Sequence, residues 1–190
     1  MTIVDDHSEL ARSTAPPTLA WLEAVVVGLN LCPFAKLPIR QGRIRVAVSD
    51  ARDENELLSD LADELARLQQ ADPAQCETTL LIHPQVLADF HQYNDFLDAA
   101  DTLLDRLALE GEFQVASFHP DYQFADTTAD DVTNCSNRSP FPMLHLLREA
   151  SVEAAIDSVG DTDAIVERNM ARLRELGWTG LKELSKDQFQ

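Results

Sequence analysis

Positive charge is scarce in this chain: 15 lysines and arginines stand against 33 aspartates and glutamates, a formal net charge of −18 over 190 residues. A field of that sign repels the phosphates of nucleic acids and the heads of anionic lipids, so neither is expected as a partner. Long apolar runs are lacking too. None approaches the roughly 20 residues that cross a bilayer, and the leading MTIVDDHSELARSTAPP has neither the basic nor the apolar region of a signal peptide. A cytoplasmic protein is expected. Cysteine is limited to Cys32, Cys76 and Cys135, odd in number, widely spaced and without a C-x-x-C pair. That pattern argues against a disulfide framework or a cysteine-rich zinc site. G-x-G-x-x-G, the P-loop, G-x-S-x-G and H-E-x-x-H are all absent, so nucleotide cofactors and the familiar serine hydrolases lose support.

What is present suits one hydrophobic core. Residues 1–17 are polar and end in Ala15-Pro16-Pro17, which predicts a flexible tail, a domain over 18–177 and a carboxy-terminal extension over 178–190. TLAWLEAVVVGLNL, capped by Thr18, reads as a largely buried helix that stops near Cys32, because Pro33 disfavours helical geometry in the residue before it. A loop over 33–42 precedes RIRVAVSD, whose alternation predicts a strand with one buried face. DENELLSDLADELARL carries a leucine stripe with acids at its start and Arg67 near its end, the arrangement the helix dipole prefers. TTLLIHP is a short apolar run that suits a strand covered on both faces. A helical stretch over 85–109 would reach about 37 Å unbroken, so a break is expected near Tyr93-Asn94. EFQVASFHP begins another strand after Gly111.

The result is a β-α-β-α-β core, an α/β fold with a small, at least partly parallel sheet flanked by helices. Periodicity does not fix strand direction, and the alternative is an α+β, ferredoxin-like antiparallel sheet. Residues 119–140 form a long polar loop of the kind a compact domain keeps for a use. Helices over 141–158 and 162–177 follow it.

Two strands finish in His-Pro, at His83 and His119, and ligand sites in open parallel sheets gather at the carboxyl ends of strands. With Asp121 two residues beyond His119, an acid/base pair or a metal site can be built there, and Asp50 ends the first strand on the same edge. The duller reading is that proline ends the strand and the histidine caps it. His145 and Glu149 stand at i and i+4 of the expected helix after the loop, a spacing that can bind a divalent transition metal but more commonly marks a buried histidine held by the carboxylate, or Glu149 paired with a nearby arginine. Arg138, with Asn134 and Ser139 near it, precedes that helix, where free N–H groups favour an anion; alternatively it pairs with loop aspartates. Cys32 lies in the apolar LNLCPF after a helix, which suits packing. A nucleophilic role would require His119 or His145 beside it.

The segments GLNLCPFAK, TTLLIHP, YNDFLD, ASFHPDYQF and NRSPFPMLHLLREAS, in this order between Trp21 and Gly177, resemble an uncharacterised bacterial family of unknown function. The resemblance implies no activity, cofactor or catalytic residue. Two functions therefore follow from the residues themselves. One is an enzyme acting on a small polar or anionic metabolite, with His119, Asp121 and Cys32 as catalytic candidates, His83, Asn134, Arg138 and Ser139 binding substrate, and His119, His145 and Glu149 as metal ligands. The other is a noncatalytic small-ligand-binding or assembly module. A closed loop with every histidine hydrogen-bonded would favour the module, and an open cleft with converging His, Asp and Arg the enzyme.

Overall fold

The computed structural model describes residues 3–4, 8–32, 34–159 and 162–184. Its central strand is β3 (Thr78–Ile82), and all five of its residues are buried, as an uninterrupted apolar run requires. Parallel to it lies β2 (Ile44–Val48), and the two-residue β1 (Ile3–Val4) extends the sheet beyond β2, again in parallel. On the other side of β3 runs β5 (Met143–Arg148), antiparallel, and β4 (Phe113–Phe118) forms the far edge, antiparallel to β5. The order is β1-β2-β3-β5-β4. Strands β2, β3 and β4 therefore point one way and β5 alone opposes them, which makes this a mixed sheet in an α/β fold and not a ferredoxin-like antiparallel one.

Helices cover both faces. On one, α3 (Glu54–Gln70) and α4 (Phe90–Arg106) bury Leu57, Leu61, Leu65, Tyr93 and Phe96 against Leu81, Leu144 and Leu146. Spacings of three and four residues place the leucines on one stripe, and each stabilises the fold by roughly 2 kcal/mol on burial. Asp53 caps α3 by accepting from the amides of Asn55 and Glu56 at 2.9 and 3.0 Å. On the opposite face, α1 (Glu9–Trp21), a π-helical turn over Leu22–Val27 and α6 (Thr162–Leu184) pack Trp21, Val25 and Leu173 onto Ile44, Val46 and Leu80. No helix among the described residues is long and apolar enough to cross a membrane.

Four expectations about the elements are corrected. The first helix starts at Glu9 behind the cap Ser8 and runs through Pro16 and Pro17, so residues 8–17 are not a loose tail; the rest of the expected tail, apart from Ile3 and Val4, lies outside the described residues. An interior proline costs about 3 kcal/mol. Here Arg12, Ser13 and Pro16 are exposed, so water can take the carbonyls left without donors, while Ala11, Ala15, Thr18 and Trp21 bury the other side. The expected loop over 33–42 contains a short helix, α2 (Lys36–Gln41), ended by Gly42 at φ 64°. The helix read over 85–109 has no break at Tyr93-Asn94: residues 84–89 form a turn with Leu87 at φ 58°, Asp89 caps α4, and 17 helical residues reach only about 26 Å.

The largest correction concerns 141–158. Residues 143–148 are strand β5, and only from Glu149 does the chain become helical, as α5 (Glu149–Val159). Beyond the expected end of α6, Gly177 breaks the helix at φ 61°. Leu181 is then fully buried, so residues 178–184 pack onto the domain; 185–190 lie outside the described residues.

Candidate functional site

Because β3 and β4 point the same way, His83 and His119 do emerge at one edge of the sheet. Both are fully buried, and both pack against the Tyr93 ring at centroid distances of 5.8 and 5.1 Å. Each holds the turn before α4: His83 Nδ1 bonds the Val86 carbonyl at 3.1 Å and His119 Nε2 the Leu87 carbonyl at 3.2 Å. The Asp121 amide donates to His119 Nδ1 at 3.0 Å, so the ring proton sits on Nε2 and donates to Leu87. Asp121 thus meets His119 through its backbone, and its side chain is exposed, as is Asp50. Burial holds His83 down to about 4, against the raising effect of its bond to Val86, and pushes His119 below its ordinary value. His83 Nε2 has no partner among the described residues. The two strand-end histidines are a clamp on residues 84–89, with no accessible acid/base pair.

The long loop is closed by its own side chains. Fully buried Asn134 accepts at Oδ1 from the Phe124 amide (3.1 Å) and the Thr127 hydroxyl (2.8 Å), and donates to the Thr128 carbonyl (2.9 Å). Arg138 donates to the carbonyls of Tyr122 (3.0 Å) and Ala129 (2.7 Å) and lies over the Trp178 ring. Ser139 donates to the Phe141 carbonyl at 2.6 Å. Since a strand and not a helix follows, Arg138 has no helix N-terminus beside it, and the anion site expected there is not formed. Asn134→Ala is expected to cost about 2 kcal/mol by leaving loop groups unpaired. Urea unfolding measures this, and an unchanged midpoint would show that the loop closes without the amide.

His145 and Glu149 do not share a helix face either: the first lies within β5 and the second opens α5. Among the described residues no three His, Cys, Asp or Glu side chains are grouped to hold a metal ion.

His145 instead faces a cavity of about 610 Å³ on the α1 side of the sheet. The cavity floor comes from alternate positions of four strands, among them Ile44, Leu80, Met143 and Ala116, as strand period two dictates. Its walls are Trp21 and Leu22, the 32–38 segment and α5. This volume falls in the range of small-molecule sites, and the lining is mainly apolar with a few polar groups. Thr78 Oγ1 donates to the Leu146 carbonyl at 2.5 Å, so at its 2.8 Å contact with His145 Nε2 it accepts. That leaves Nδ1 as an acceptor with no partner among the described residues. Burial holds His145 down to about 4, keeping it neutral near pH 7.

Cys32 lines the same cavity. Contrary to expectation a helix does follow it, and the Phe34 and Ala35 amides lower its pKa, but burial outweighs them and the thiol is raised. Cys32 is a protonated residue of the cavity wall, and the neutral His145 lines the same cavity. Sequence reasoning missed the cavity because its lining comes from seven separate segments with no shared spacing; Cys32 and His145 were singled out, but for different sites.

The chain belongs to the family described as protein of unknown function, DUF1415, whose pattern matches residues 14–183. No curated protein and no solved structure gave a match.

Proposed function

We propose that this member of the family is a small-molecule-binding domain whose ligand, largely apolar, occupies the cavity between the sheet and α1, α2 and α5. The observation that carries this reading is the cavity itself: about 610 Å³, apolar in most of its lining, with the accepting Nδ1 of His145 free of partners among the described residues. A ligand N–H or O–H group bonds there, and the low basicity of the ring keeps the acceptor available at neutral pH. Binding without catalysis is favoured because His83, His119, Asn134 and Arg138 all have partners inside the protein and the Cys32 thiol is held protonated. The surplus of acid over base supports a cytoplasmic protein that avoids nucleic acid and anionic membranes.

Titration with the uncharged fluorophore N-phenyl-1-naphthylamine tests the reading. The wild type is expected to bind it with enhanced emission. Ala116→Trp sets an indole on the cavity floor and should weaken binding by at least about tenfold, an energetic change near 1.4 kcal/mol, with an unchanged circular dichroism spectrum. No binding by the wild type, or equal binding by the variant, overturns the proposal.

A further inference from the structure

At the corner of the cavity where β2 begins stands Arg43, paired with Glu77. Its Nη1 does all the bonding: it donates to Glu77 Oε2 at 2.9 Å and to the Pro73 carbonyl at 3.1 Å. Nε is buried without an acceptor, and Nη2 has none either among the described residues. Nε and Nη2 form one side of the planar guanidinium, the edge that meets both oxygens of a carboxylate. Two residues along β2, the same edge of Arg45 is used in that way, with Nε 2.6 Å and Nη2 2.9 Å from the two oxygens of Glu64. One arginine at the start of β2 thus has its bidentate edge filled by the protein, and the one on the cavity does not.

The geometry points to a carboxylate as the head group of the ligand, seated on Nη2 of Arg43, the guanidinium nitrogen that is neither enclosed nor bonded among the described residues, with its apolar body running into the cavity. This rests on the cavity being the ligand site. A ligand carboxylate would give Nη2 an acceptor, and its charge would be met by a guanidinium that Glu77 engages through one oxygen. The cavity floor crosses the sheet from Ile44 on β2 to Phe118 on β4, three strand spacings or about 14 Å, which accommodates a medium-length acyl chain or an aromatic acid. In a chain of net charge −18, anions are disfavoured over the surface generally, so recognition of one has to come from a local, partly enclosed cation of this kind.

The experiment is displacement of N-phenyl-1-naphthylamine by decanoate and by 1-decanol at pH 7.5, where the acid is ionised. Arg43→Gln is expected to weaken decanoate by roughly tenfold or more while changing 1-decanol by less than about twofold. Glu77→Gln, which removes the competing carboxylate, should tighten decanoate alone, and it tests the assignment even if Arg43→Gln fails to fold. Equal loss of both competitors in Arg43→Gln, or no effect of either variant on decanoate, overturns the carboxylate assignment and leaves the cavity reading standing. A wild type that does not take up the fluorophore removes the cavity reading and this one with it.

Discussion

Between pH 7 and pH 4 the fold is expected to lose on the order of 3 kcal/mol through His83 alone. Burial keeps this imidazole neutral in the folded protein down to about pH 4, while in the unfolded chain it protonates near 6.5. Between those values the unfolded state binds the additional proton, so stability is full above about 6.5, falls as the pH decreases, and levels off below about 4. The site has little to offer a cation: Nδ1–H already donates to Val86, Nε2 is sealed off, and the near neighbours are Tyr93 and a second imidazole, His119. His145 adds in the same direction with its value also near 4, but by less, because it faces a cavity in which water can solvate the charged ring. Urea midpoints measured across this pH range in wild type and His83→Gln provide the check. The variant should be less stable at pH 7 and show a clearly shallower slope toward acid. Identical slopes would remove His83 as the source.

Tyr93→Phe is expected to destabilise the protein by about 3 kcal/mol, although it deletes a single oxygen. The Tyr93 hydroxyl donates to the Met143 carbonyl at 2.9 Å and accepts from the Phe118 amide at 3.0 Å. Phe118 and Met143 are register partners at the end of the β4–β5 ladder, so the hydroxyl inserts itself where two backbone groups would otherwise face each other. The side chain is fully buried, and its removal strands one carbonyl and one amide, each costing about 1–3 kcal/mol. Equilibrium denaturation gives the number. A loss below about 0.5 kcal/mol would mean that the strand ends close on each other without the bridge.

Where the sequence carried a strong period, the structure follows it. The leucine stripe and the acidic start of α3 are local signals, and the structure adds the Asp53 cap to them while the stripe packs on the sheet. The His-Pro dipeptides likewise mark the ends of β3 and β4. The strand β5 was not legible. MLHLLR is short and packed on both faces, so it has neither period two nor period 3.6, and it passes into EASVEAAIDSV with no glycine or proline between them. Reading the two as one helix set His145 above Glu149 and gave Arg138 a helix terminus to work with. Both site ideas fell with that one boundary. The proline pair in α1 misled in the opposite direction, because the rule against interior proline assumes that the carbonyls it orphans have no water, and here they lie on the exposed side. The cavity had no sequence signature at all, since Ile44, Thr78, Ala116 and His145 lie on different strands and meet only through pairing register.

The antiparallel placement of β5 between β3 and β4 also governs when the sheet can close. Strands β3 and β4 have no common hydrogen-bonded neighbour until residues 143–148 arrive between them, and these form the last strand among the described residues. While the protein is being synthesised, β2 and β3 can pair, but β3 keeps one edge open and β4 has no partner. Closure then depends on contacts between residues more than 60 positions apart, as between Leu80 and His145. Such distant pairings are made late and at a high cost in loop entropy. Tyr93, packed against the two strand-end histidines and bonded to the first residue of β5 and the last of β4, sits where that late insertion is locked in place.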